Sequence, residues 1–228
     1  MILRKWESLP PEMQIPEVKT YYDVLQKRKF SLAMKRLFDI VVSFILLALL
    51  SPLFLVLAIA IKLDSKGPVF YRQTRVTRYG EEFRIFKFRS MVTDADKGSL
   101  LTVGGDSRIT KVGKIIRKFK LDELSQLIDV FRGTMTFVGT RPEVPKYVKK
   151  YTPEMMATLL LPAGITSEAS IYYKDENELL DAADDVEKTY LEVVLPDKMK
   201  YNLAAINSFS FIDDIKVMIL TVLAIFRR

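Results

Sequence analysis

The hydrophobic pattern is dominated by one stretch without a charge, Ile40–Ile61, reading IVVSFILLALLSPLFLVLAIAI. As a helix it reaches about 33 Å, close to the hydrocarbon thickness of a bilayer. A core helix of that length normally keeps a polar stripe, and none is visible here, so the run is expected to meet lipid. Ser51-Pro52 lies near its middle. Proline removes a backbone donor and its ring collides with the carbonyl of Ala48, and the Ser51 hydroxyl is well placed to compensate. Two topologies follow: a kinked spanning helix, or a helix–break–helix hairpin that enters and leaves the same leaflet. Lys27, Arg28, Lys29, Lys35 and Arg36 precede the run, and Lys62, Lys66, Arg72, Arg75 and Arg78 follow it. The positive-inside rule then assigns both ends to the cytoplasmic side, which favours the hairpin.

The pattern divides the chain into three parts. Residues 1–30 carry Pro10, Pro11 and Pro16 and a short helix around Glu17–Lys29, an N-terminal extension lying over the main domain or on the headgroups. Residues 31–63 are the membrane hairpin, closed by the turn Asp64-Ser65-Lys66-Gly67-Pro68, and 64–228 form a cytoplasmic domain. Within it Val69–Tyr71 and Phe83–Phe88 alternate as two strands joined by a basic loop ending in Tyr79-Gly80. Lys111–Phe119 reads as a helix with Val112, Ile115, Ile116 and Phe119 on one face, and Leu121–Phe131 as a second, stopped by Gly133. Thr134–Val138 is extended, Glu143–Tyr151 and Pro153–Leu160 are helical, Pro162–Ser170 is loop and Glu176–Val194 a long polar helix. Residues 197–228 are helical and end in Val217–Phe226, too short to span and suited to the interface. The fold class expected is α+β, mostly helical, with a short β element. The apolar run begins too far from residue 1 for a signal peptide, so it is retained.

Composition narrows the chemistry. The 228 residues include no cysteine and no histidine, which excludes disulfides, thiolate metal sites and every Ser-His-Asp arrangement. Carboxylates, lysine, arginine, tyrosine and serine remain. A net charge of +7 and a pI near 9.4 suit a polyanionic partner.

Three constellations offer such chemistry. Lys87 and Arg89 stand just ahead of Asp94 and Asp96; two cations and two carboxylates at the mouth of a strand can bind phosphate and Mg²⁺ together, and a carboxylate can attack phosphorus. An isolated acidic pair in a loop is more often solvated surface. Cations from Arg108 to Arg117 precede Leu121-Asp122-Glu123-Leu124-Ser125-Gln126, where acidic groups suit a helix N-terminus; a salt-bridged helix pair explains much of the same pattern. Gly139-Thr140-Arg141-Pro142 lets the backbone approach a ligand and aims an arginine, as a phosphate clamp or as a buried structural cation.

Taken in order, Lys35-Arg36-Leu37-Phe38-Asp39, Ser51-Pro52, Gly67-Pro68-Val69-Phe70-Tyr71-Arg72-Gln73, Lys87-Phe88-Arg89-Ser90-Met91, Leu121-Asp122-Glu123-Leu124 and Val138-Gly139-Thr140-Arg141-Pro142 resemble the bacterial sugar transferase family. The resemblance, to the monotopic phosphoglycosyl transferases, runs from about Met34 to Leu223. It implies transfer of a sugar-1-phosphate from a nucleotide diphosphate sugar, typically UDP-linked, to polyprenol phosphate, the first membrane step of lipopolysaccharide or capsule assembly. It further implies Mg²⁺, a ping-pong route through an aspartyl-phosphosugar, and a site on the cytoplasmic face of the bacterial inner membrane. By this resemblance the nucleophile is one acid of Asp94-Ala95-Asp96, with Asp94 the first choice and Asp96 the alternative, and the other acid helps hold Mg²⁺ or assists the leaving group. Lys87, Arg89, Arg117, Asp122, Glu123, Gln126, Arg141 and Pro142 line the substrate, and anionic lipids meet the flanking cations. The chain departs from the family in having two aspartates where an aspartate and a glutamate are usual, in Thr140, and in Gly164–Ser170. It looks like the small form of the family, and a homodimer is compatible with it.

Two rivals use the same residues. A nucleic-acid binder would be basic and would interleave aromatics with cations as Phe86–Arg89 does, but it has no use for an uncharged membrane-length run, so no nucleic acid is expected. A non-catalytic scaffold binding anionic lipid or phosphorylated partners explains anchor and charge, and leaves the acid pair and the clustered cations as coincidence.

Overall fold

The computed structural model describes residues 1–93, 108–173, 179–180 and 183–226, in a fold that is mostly helical with short sheets. Helix α1, Pro16–Lys27, begins with proline in its first turn, where the missing donor costs nothing. Helix α2, Lys29–Asp64, follows at once and carries the apolar run. The expected helix–break–helix is corrected here: α2 is a single helix with Pro52 inside it. Ser51 Oγ donates to the Ala48 carbonyl at 2.8 Å, giving a partner to the acceptor that proline cannot serve.

Helix α2 is long and apolar enough to cross a membrane, and only 11% of its most apolar window is buried, so it is not a core helix. Its ends, by contrast, are held. Near the N-terminal end Lys35 is 3% exposed; its ammonium donates to the Val138 carbonyl at 2.7 Å and pairs with Asp214 at 2.6 Å. One turn on, Asp39 accepts from Thr136 Oγ1 at 2.8 Å and from the Phe137 amide at 3.2 Å. Arg36 donates to the carbonyls of Val130 and Phe131 at 2.7 and 2.9 Å. At the other end Arg89 donates to the carbonyls of Lys66 and Ser65, both at 2.7 Å, and to that of Ile61 at 3.3 Å. Leu57 and Ile61 pack with Phe88 and Ile116. Lys35 and Arg36, read from sequence as charges facing the membrane surface, are thus docking groups. Lys27, Arg28, Lys29, Lys62 and Lys66 remain exposed.

Strands β1, Phe70–Val76, and β2, Glu82–Phe88, form an antiparallel hairpin with Tyr71 opposite Lys87 and Arg75 opposite Phe83. Most of the expected basic loop is therefore strand. Arg72 lies over the Phe86 ring at 3.4 Å, so the ladder covers its cations with aromatic surface. Helix α3, Lys111–Lys118, is capped by Thr110, whose hydroxyl accepts from the Gly113 amide at 2.9 Å. A 3-10 turn, Leu121–Gln126, leads into α4, Leu127–Arg132, which Gly133 ends at φ 87°.

Strand β3, Met135–Val138, then pairs in parallel with β4, Ala163–Thr166. The expected loop 162–170 is thus corrected to a strand followed by α6, Glu168–Tyr172, with α5, Pro145–Val148, in the connection. A strand of four residues offers too little alternation to be recognised without its partner. Beyond its end Gly139 and Gly164 approach so closely that a Cβ on Gly164 would collide with the Gly139 backbone. Residues 155–160 form a buried 3-10 turn rather than part of a helix. Residues 174–178 and 181–182 lie outside the described residues; within the expected polar helix Leu179 and Leu180 are helical, and α7, Val186–Thr189, is capped by Asp185. It continues through a π-helical turn, Tyr190–Val194, into α8, Leu195–Asn207, and α9, Phe211–Phe226, follows. The N-terminal segment lies over the domain, with Leu9, Met13, Val18 and Leu25 packed against Leu160 and Ile206.

Lys35→Ala leaves Asp214 and the Val138 carbonyl without their buried cation. The expected outcome is a loss of about 3–5 kcal/mol, read as a lowered unfolding midpoint in detergent.

Candidate active site

Lys87 lies near the end of β2, on the face of Phe83 and the buried Ile85, and the 3-10 turn Leu121–Gln126 packs beside that strand. The Lys87 ammonium stands 3.6 Å from Glu123 and 4.0 Å from Asp122. From the turn after β3, Arg141 Nη2 donates to the same Glu123 carboxylate at 2.6 Å. Three separate stretches of sequence therefore meet in one half-buried cluster. Lys87, Asp122 and Glu123 keep 16–23% of their side-chain surface and Arg141 38%, which puts the arginine at the mouth.

Burial sets the electrostatics. It pushes the Lys87 ammonium down, with Glu123 pulling the other way. It would push the Glu123 carboxyl up, but Arg141 and Lys87 together outweigh it and hold that group well below the ordinary carboxylate range. Asp122 is pushed up by burial; Lys87 opposes that, and the neighbouring Glu123 charge adds to it. Two adjacent carboxylates are thus driven apart, one firmly ionised and one reluctant. The firm charge of Glu123 fixes two cations where an incoming anion would meet them.

Among the other expected site residues, Arg117 neighbours Asp122 electrostatically and donates to Ser90 Oγ at 3.1 Å. Gln126 is buried in the same 3-10 turn, and the Pro142 carbonyl accepts from Arg75 at 3.0 Å. Arg89 does not join the cluster. Its guanidinium is 4% exposed and serves the C-terminal carbonyls of α2, so its place is corrected from ligand-facing to structural. Asp94 and Asp96 lie outside the described residues.

Among the described residues no group of three or more carboxylates is assembled for a metal, and Asp122 and Glu123 face Lys87 and Arg141 instead.

One residue that sequence reasoning missed is Arg75. Its Nε and Nη2 donate to Gln73 Oε1 at 3.0 and 2.6 Å, while Nη1 holds Pro142. It fixes the segment that aims Arg141, and it lies within the field of Lys87. The signal was the period-two series Tyr71, Gln73, Arg75, which shares the Lys87 face once β1 extends to Val76.

Because the folded carboxyl of Glu123 is depressed, its stabilising contribution is complete above its ordinary pKa of 4.5 and is lost as pH falls through the folded value. Arg141→Ala removes the strongest charge that holds it down. The Glu123 side-chain ¹³C resonance should then titrate at higher pH than in the unaltered chain.

Comparison with known proteins bears on this cluster. A UDP-glucose:undecaprenyl-phosphate glucose-1-phosphate transferase of Klebsiella pneumoniae is 37% identical over 196 residues, covering 84% of this chain and 40% of the relative. A UDP-N-acetylgalactosamine-undecaprenyl-phosphate N-acetylgalactosaminephosphotransferase of Aeromonas hydrophila is 40% identical over 143 residues, covering 61% of this chain and 34% of the relative. The uncharacterized sugar transferase EpsL of Bacillus subtilis is 33% identical over 190 residues, 83% of this chain and 85% of its own. The chain thus spans well under half the length of the first two. The sequence profile described as bacterial sugar transferase matches residues 30–228, and the chain belongs to that family.

Proposed function

We propose that this chain transfers a sugar-1-phosphate from a UDP-linked sugar to polyprenol phosphate, releasing UMP. The observation that carries the proposal is the meeting of Lys87, Asp122, Glu123 and Arg141 in one half-buried cluster. The names of the relatives, which pair UDP-sugars with undecaprenyl phosphate, support the choice of substrates. In the first step a carboxylate oxygen of Asp94 attacks the phosphorus bearing the sugar. The new O–P bond forms as the bond to the bridging oxygen breaks, and UMP departs with that electron pair. In the second step an oxygen of polyprenol phosphate attacks the same phosphorus, and Asp94 leaves as a free carboxylate. An ionised aspartate needs no general base, which suits a chain without histidine. Lys87 and Arg141 neutralise the diphosphate, the arginine through its planar fork. Mg²⁺ on Asp94 and Asp96, when bound, would supply further neutralisation.

The same reading gives a monotopic protein on the cytoplasmic face of the bacterial inner membrane, with α2 bending at Pro52 so that it enters and leaves one leaflet. It is supported by the grip of one domain on both ends of α2, through Lys35 and Asp39 at one end and Arg89 at the other. Two ends fixed to one domain reach the same side of a bilayer. Exposed Lys27, Arg28, Lys29, Lys62 and Lys66 would add about 1 kcal/mol each toward anionic headgroups. The exposed Ile219, Leu220 and Leu223 of α9 would lie in the interface.

With detergent-purified protein, Mg²⁺, polyprenol phosphate and a panel of UDP-sugars, UMP release is expected to require the acceptor and to vanish in Asp94→Ala. Arg141→Ala should lower it by about a hundredfold, the scale of one lost transition-state donor. Loss in Asp96→Ala alone would move the nucleophile two residues along. Silence of the unaltered protein across the panel would favour a scaffold. Single cysteines introduced at Phe30 and Pro68, in a chain that has none of its own, should both resist an impermeant label applied outside intact cells. Labelling of only one would mean that α2 spans.

A further inference from the structure

A cavity of about 100 Å³ borders the turn that carries Arg141, yet its wall includes Thr140 and not Arg141, Lys87 or Glu123. At about 10–15 Å³ for each water it has room for several. Apolar surface from Leu161, Ile206, Phe209 and Val217 covers part of the wall, and no lysine or arginine contributes to it. The polar share comes from Asn202, Glu168, Asp213 and Asp214, with hydroxyls from Thr140, Thr158 and three serines beside them. Asp214 is paired with Lys35 at 2.6 Å and Asp213 with Lys216 at 2.7 Å, whereas the Glu168 side chain stands exposed.

Asn202 is the informative member. It is 6% exposed, and among the described residues its side-chain amide contacts only the Met199 sulfur, at 3.8 Å. A side-chain amide has two donor hydrogens and a carbonyl oxygen, and buried polar groups are as a rule hydrogen-bonded. This one lines a cavity with most of its capacity unused.

Thr140 and Arg141 are adjacent in the chain, so their Cα atoms are about 3.8 Å apart. Across that single step the lining changes from carboxylates and an amide to a cation clamp. A nucleotide diphosphate sugar changes in the same way across its glycosyl-phosphate bond, from a neutral group rich in hydroxyl donors to a dense anion. Carboxylates and an amide oxygen accept from hydroxyls, and an apolar wall suits the C–H face of a pyranose, whereas a carboxylate lining repels phosphate. We propose that this cavity receives the sugar of the donor, with Asn202 and Glu168 reading its hydroxyl or amide substituents. The inference rests on the transferase reading above and adds the residues that choose the sugar.

The experiment compares binding of UDP, UDP-glucose and UDP-N-acetylgalactosamine to the full chain in detergent, by calorimetry. Two variants are used: Asn202→Leu, and Ala205→Trp, which narrows the cavity from an exposed position where the fold is indifferent to size. In both, the UDP-sugars should bind about tenfold more weakly, the scale of one lost hydrogen bond or a blocked mouth, while UDP stays within about twofold. In Asn202→Leu the two sugars should also change in relative affinity. If Asn202→Leu fails to fold, Ala205→Trp decides alone. UDP-sugar binding unchanged in the folded variants would overturn the cavity assignment and leave the transferase reading standing. Equal loss of UDP and UDP-sugars in Ala205→Trp would give the cavity to the nucleotide and overturn the assignment as well. An unaltered chain that binds neither UDP nor UDP-sugar and releases no UMP would remove the transferase reading and this inference together.

Discussion

Everything in this molecule is arranged around the fact that an apolar helix of 36 residues is held at both ends by the same folded domain. The grip at the N-terminal end is ionic and buried: Lys35 on Asp214 and a strand carbonyl, Asp39 on Thr136 and a strand amide. Such groups are costly to bury unless each finds its partner, and here each does. The grip at the other end uses Arg89 as an external cap on carbonyls that a helix C-terminus leaves without donors. Between them most of the apolar surface stays bare, while the domain keeps the ends of the helix.

The candidate site inherits its position from this arrangement. Phe88 is packed against Phe54 of α2 with ring centroids 5.1 Å apart, and Lys87 is its neighbour in the strand. The clamp is thereby fixed close to α2. Its internal logic is electrostatic: a carboxylate kept ionised by two cations holds those cations rigid before any ligand arrives. Preorganised charge of this kind is worth most where water is partly excluded, as it is around Lys87 and Glu123.

Much of this was legible in the residues. The uncharged run, Ser51-Pro52, the two strands and the cations of Lys87 and Arg141 all follow from local chemistry, which is why they could be read without a partner in view. What local chemistry hides is pairing over distance. β4 is four residues long and acquires its identity only beside β3, and Asp39 is an awkward charge ahead of an apolar run until Thr136 stands next to it. Arg89 shares a motif with Lys87 but turns toward α2, a choice set by the helix end it meets. Pro52 was read as a break because proline forfeits one bond; the neighbouring serine restores a partner, and the helix continues.

The ionic grip on α2 also has an order in time. Lys35 and its carboxylate partner are separated by 179 positions along the chain. At about 5–20 residues per second, the ribosome has displayed the apolar helix for roughly ten to forty seconds before Asp214 exists. During that interval Lys35 lacks its carboxylate, and the domain can hold the helix only through the partners of Arg36 and Asp39 and through Arg89 as each of them emerges. The final seating of the helix on the domain is therefore a late event of biosynthesis, completed when the last helices of the chain emerge rather than when the apolar segment first meets the membrane.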